Sequence, residues 1–111
     1  MKWLYILILT FSSSIVFGRH SCTDEEFSRA VSKKLPKGAG SIISRIVQCN
    51  HWGGEVGDSD PERKKQIEAG VNKAKCEALE KDRSEFIKHH SKNKKIEAAF
   101  VTADSWEGLC D

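Results

Sequence analysis

Four cysteines, Cys22, Cys49, Cys76 and Cys110, limit what this 111-residue chain can fold into more than any other feature. The sequence has no CxxC and no paired Cys/His spacing, so a zinc site is a poor reading of them. Their redox context comes from the start of the chain. Residues 1–18, MKWLYILILTFSSSIVFG, place Lys2 before an apolar run from Trp3 to Phe11, and Val16 and Gly18 suit the positions ahead of a cleavage point. The apolar run falls short of the roughly 20 residues needed to span a bilayer, and no later segment is apolar enough to do so. Residues 1–18 therefore read as a secretory signal peptide and residues 19–111 as a single extracellular domain. An even set of cysteines in a secreted chain implies two disulfides, in one of three connectivities.

Removing 18 residues leaves 93. A domain of that size buries only roughly 60–65% of its unfolded surface, which makes covalent staples valuable. Losing Lys2 with the signal leaves 17 Lys and Arg against 16 Asp and Glu. So even a balance argues against a nucleic-acid binder acting through bulk charge, and any electrostatic targeting must come from local clustering.

The apolar periodicity is helical, and the fold class expected is all-α: a small disulfide-stapled bundle of four or five helices. Thr23 with Glu26 forms a capping box, and Phe27, Ala30, Val31 and Leu35 mark one helix face up to Pro36, which disfavours helix in the residue before it. After the turn Lys37-Gly38-Ala39-Gly40, Ser41 suits the cap of a second helix, whose Ile42, Ile43, Ile46 and Val47 make it the most apolar mature segment. Asn50 to Ser59 has three glycines and no periodicity, and reads as a loop.

The longest helix-like stretch runs from Asp60 to His90. Asp60 suits an N-cap with Pro61 in the first turn, and Ile67, Val71, Ala74 and Ala78 form one stripe. Unbroken from Pro61 to Lys88 it would be ~42 Å long, at 1.5 Å per residue. That exceeds the roughly 30–35 Å expected across such a domain, so it either projects or breaks. A second capping box, Asp82 with Glu85, marks Lys81–Ser84 as the best place for a break. Ile96, Ala99, Phe100 and Ala103 define the last helix.

Two antiparallel αα-hairpins would bring Cys22 to Cys49 and Cys76 to Cys110, the pairing expected on these grounds. One feature strains it. Cys76 points nearly opposite the Ile67–Val71–Ala74–Ala78 stripe on a continuous helix, which would then need neighbours on both sides.

Two groups of residues suggest function. Lys88, His89, His90, Lys92, Lys94 and Lys95 fall within eight residues without an acid, a candidate patch for a polyanion such as a glycosaminoglycan or an anionic lipid surface. Its affinity should rise as the histidines protonate in mild acid. A solvated turn whose cations complement the preceding helix end is the plainer account. His51 and Trp52, beside two glycines, suggest the tip of a recognition loop, unless the indole folds back onto the bundle. No residue set is spaced for a metal or cofactor, and none specifies a catalytic constellation, so a non-enzyme is expected. The leading expectation is a secreted interaction or effector protein (salivary, venom or immune type) that binds a macromolecule or polyanionic surface. The alternative is a carrier of a small hydrophobic ligand between helices, in a cavity lined by Phe27, Ile43, Ile46, Val71, Phe86 and Phe100.

Overall fold

A computed structural model describes residues 20–55 and 60–110, so the signal expected at 1–18 lies outside the described residues. Among the described residues five helices follow one another: α1 (Asp24–Ser32), α2 (Ala39–Gly54), α3 (Pro61–Lys73), α4 (Cys76–His89) and α5 (Lys94–Asp104). Two short strands flank them, β1 (His20–Ser21) and β2 (Leu109–Cys110). The result is a small all-α bundle fastened by two disulfides, as expected. The strands add to that expectation: they pair antiparallel, His20 opposite Cys110 and Ser21 opposite Leu109. No helix among the described residues is long and apolar enough to cross a membrane.

Local chemistry sets most helix starts. The Glu26 N–H donates to Thr23 Oγ1 at 3.1 Å, and Thr23 N–H donates back to Glu26 Oε1 at 3.5 Å, closing the capping box. Asp60 Oδ1 accepts from the Arg63 N–H at 2.8 Å, with Pro61 in the first turn where its missing donor costs nothing. Asn93 Oδ1 accepts from the Lys95 N–H at 3.1 Å to start α5. Ser41 is not a cap. The second helix begins earlier, at Ala39, after Gly38 at φ +98°, a left-handed conformation that favours glycine.

The hub of the packing is α2, which contacts α1, α3, α4 and α5. Its Ile42, Ile43, Ile46 and Val47 are buried with Phe27 of α1 and with Ile96, Ala99, Phe100 and Ala103 of α5. Ile43, Ile46, Ile96 and Phe100 are buried almost completely. Each such side chain contributes about 1.5–3 kcal/mol by leaving water.

The long stretch from Asp60 does break, but at Lys75 and not at Lys81–Ser84. Lys75 adopts φ +53° and ψ +49°, left-handed for a non-glycine residue. The cause is tertiary. Arg45 of α2 donates from Nε to the Ala74 carbonyl at 2.8 Å and from Nη2 to the Lys75 carbonyl at 3.0 Å, satisfying acceptors that the broken helix frees. Its Nη2 also lies 2.9 Å from Asp82 Oδ2, which makes Asp82 a mid-helix ion-pair partner and not a cap.

The expected disulfide pairing is wrong. Cys22 is joined to Cys110 and Cys49 to Cys76, with Cα separations of 5.8 and 5.6 Å. The break removes the strain noted in the sequence: Cys76 opens α4 on a new axis, free of the Ile67 stripe, and α4 runs back antiparallel along α2 to meet Cys49. Cys22 then meets Cys110 because the strands draw the two ends together. Neither disulfide therefore closes an αα-hairpin of the kind expected.

Candidate functional site

The basic run forms the corner between α4 and α5. Lys88 and His89 end α4, His90 to Asn93 make the turn, and Lys94 and Lys95 open α5. The turn is closed by the His90 N–H donating to the Phe86 and Ile87 carbonyls at 3.1 and 3.2 Å, and by the Asn93 N–H donating to the His90 carbonyl at 2.8 Å. The His90 ring packs 4.6 Å from Phe86 and 5.2 Å from His89, centroid to centroid. Lys88, Lys92, Lys94 and Lys95 are all exposed.

Helix electrostatics account for only half of this run. Lys88 and His89 sit in the last turn of α4, where cations are favoured. Lys94 and Lys95 occupy the first turn of α5, the end at which a cation is disfavoured by about 0.3–1 kcal/mol.

A second basic turn, absent from the sequence expectations, stands beside the first. Lys33, Lys34 and Lys37 lie between α1 and α2, and all three are exposed. Pro36 from this turn lines a shallow cleft of about 350 Å³ together with His89, His90, Ser91, Lys92 and Asn93. Gly38 rests on Phe86 of α4 so closely that a Cβ there would lie 3.1 Å from Phe86 Cε2. A signal for it existed: no Asp or Glu occurs between Glu26 and Glu55. What the sequence could not supply was the contact between the two turns.

The described arginines and the lysines of the two turns differ in their partners. All four described arginines form internal ion pairs: Arg29 with Glu25 at 3.1 Å, Arg45 with Asp82, Arg63 with Glu55, and Arg83 with Asp104 at 2.7 Å. Hydrogen bonds from Arg83 to both Asp104 oxygens, helped by the charges of Asp104, Glu97 and Glu80, raise its already high pKa despite burial. None of the seven lysines on the two turns has an ion-pair partner among the described residues.

His51 and Trp52 are elsewhere, and not in a loop. They fall in the C-terminal part of α2, which continues to Gly54. Trp52 is folded onto α3: its indole presses against Gly70, and the Arg63 guanidinium lies 5.5 Å from the ring centroid. That contact, with the Arg63–Glu55 pair, explains why the helix persists through a Gly-rich end. His51 stacks edge-on to Trp52 at 4.9 Å and approaches Glu55 at 3.4 Å. A half-open cleft of about 440 Å³ lies here, with Val47, His51, Trp52, Gly70, Lys73 and Trp106 among its walls. The positions nominated for a carrier cavity are placed differently. Phe27, Ile43, Ile46 and Phe100 pack into the core, with Phe86 against it.

No protein-family model matches the chain, and comparison with curated proteins and with solved structures returns no match.

Proposed function

We propose that this chain is a secreted, non-enzymatic interaction or effector protein, released from the signal at 1–18, that binds a polyanion through Lys88, His89, His90, Lys92, Lys94 and Lys95. The observation that carries the reading is the contrast in the use of cations. Every described arginine pairs with a carboxylate, while the lysines of this corner are exposed and, like the other described lysines, have no ion-pair partner among the described residues, two of them standing against a helix dipole. Residues kept at an electrostatic cost to the fold are better explained by a partner than by stability.

Retention on immobilised heparin tests this. Wild type should be retained at low salt and released as the Debye length shortens from about 10 Å at 0.1 M to 3 Å at 1 M. The variant K88S/K92S/K94S/K95S should elute markedly earlier. Equal elution of the two proteins would reduce the corner to a solvated turn.

A second reading has one observation in its favour. The 440 Å³ cleft between Trp52 and Trp106 is large enough for a small hydrophobic ligand, at a place other than the core. Saturable quenching of tryptophan fluorescence by a fatty acid or an aromatic probe, abolished by Trp106→Ala, would support a carrier. Unsaturable, nonspecific quenching would count against it.

A further inference from the structure

The three lysines between α1 and α2 lie within three residues of Pro36, which lines a cleft whose other walls come from the α4–α5 corner. We infer that the two turns make one binding site for a linear sulfated polysaccharide, with Lys33, Lys34 and Lys37 holding one stretch of the ligand and Lys88, Lys92, Lys94 and Lys95 the next. This rests on the polyanion reading proposed above and specifies its full extent and its ligand.

Three observations converge on a single site. Pro36 and the residues from His89 to Asn93 line the same cleft, and Gly38 seats against Phe86, so the turns are in contact. Lys34 and Lys37 are two residues and one residue from Pro36 and Lys33 is three, so their Cα atoms lie within about 11 Å of it at 3.8 Å per residue. Neither stretch, Phe27 to Gly54 or Phe86 to Ile96, contains an acid, so nothing within either turn neutralises the field. Lys37 also lies just ahead of α2, where the helix dipole disfavours it just as it does Lys94 and Lys95. The same unfavourable placement recurs on both sides of the cleft.

The chemistry selects a polysaccharide over a membrane. Proteins that lie on anionic bilayers add apolar side chains to their lysines, which enter the acyl boundary. The exposed large apolar residues among the described residues are Val101 and Leu109, on α5 and β2 and not on these turns. Leu35 and Pro36 are only partly exposed. A sulfated polysaccharide presents sulfates and carboxylates along a line that can pass from one turn to the other across the cleft. Lysines serve it as adaptable point charges.

The test compares elution from immobilised heparin for wild type, K33S/K34S/K37S, K88S/K92S/K94S/K95S, and a control, K64S/K65S/K73S, that removes three lysines from α3. All the altered residues are exposed, and thermal melting verifies the fold, with Lys37→Ser alone as the substitute should the triple variant melt early. The control should elute with wild type, whereas each turn variant should elute earlier, its affinity at fixed salt lowered about tenfold or more. Should K33S/K34S/K37S elute with the control while the four-lysine variant elutes early, the second half of the site does not exist, though the polyanion reading survives. Failure of wild type itself to bind removes both. Binding to phosphatidylcholine–phosphatidylserine vesicles should be lost in excess soluble heparin; vesicle binding that persists would overturn the choice of a polysaccharide.

Discussion

The two ends of this bundle are built differently. At one end the two strands meet: β1 pairs with β2, Cys22 is bonded to Cys110, and Trp106 stacks on Phe27 at 4.7 Å while donating from Nε1 to the Leu109 carbonyl at 2.9 Å. The second disulfide joins Cys49, in the C-terminal half of α2, to Cys76 at the start of α4, while the acids Asp24, Glu25 and Glu26 open α1 and Asp104 closes α5. At the other end two turns rest on backbone hydrogen bonds and on Phe86, and carry seven lysines. Like charges on two neighbouring turns repel one another, a cost that disulfides elsewhere in a fold can offset. The contrast separates the work of holding the structure from the work we assign to the lysines.

Breaking the fastened end should have the largest effect. Converting Cys22 and Cys110 to Ser opens a crosslink spanning 88 positions, and the chain-entropy model gives a loss of about 4–5 kcal/mol. The pair Cys49 and Cys76, 27 apart, should cost about 3–4 kcal/mol. Urea unfolding of the two double variants measures both. The reverse order would show that the crosslink beside the paired strands is not what secures this half.

Smaller changes sharpen the same point. Gly70→Ala forces a methyl into the Trp52 indole, which should cost about 1–3 kcal/mol before some return from helix propensity. A shift in tryptophan emission would report the displaced ring, and unchanged stability and emission would mean that Trp52 moves aside freely. Thr23→Ala removes the cap beside Cys22 and should cost ~1 kcal/mol by thermal melting. A change within error would show that the disulfide alone fixes the start of α1.

What could be read from the sequence was what neighbours along the chain decide. The capping box at Thr23, the cap at Asp60, the α5 stripe and the apolar face of α2 depend on contacts three or four residues apart, and they are where the spacing places them. The break at Lys75 was hidden because no glycine, proline or cap marks it; Arg45, 30 positions away, holds it open. The cysteine pairing was missed as a consequence, since Cys76 changes axis at that break. The site was half visible. Lys88 to Lys95 announce themselves by density, but Lys33, Lys34 and Lys37 gain meaning only when Gly38 docks on Phe86. His51 and Trp52 looked like a loop because the glycines after them outweighed a helix that Arg63 and Gly70 sustain from α3.

The central proposal is that the seven lysines of this end serve binding and add no net stability. It is tested most directly by changing all seven of its lysines to serine and measuring heparin affinity and melting temperature on the same preparation. Affinity should be abolished while the melting temperature stays unchanged or rises slightly, because repulsion has been relieved. Affinity equal to wild type, or a melting temperature that falls with it, would contradict the division between the two ends.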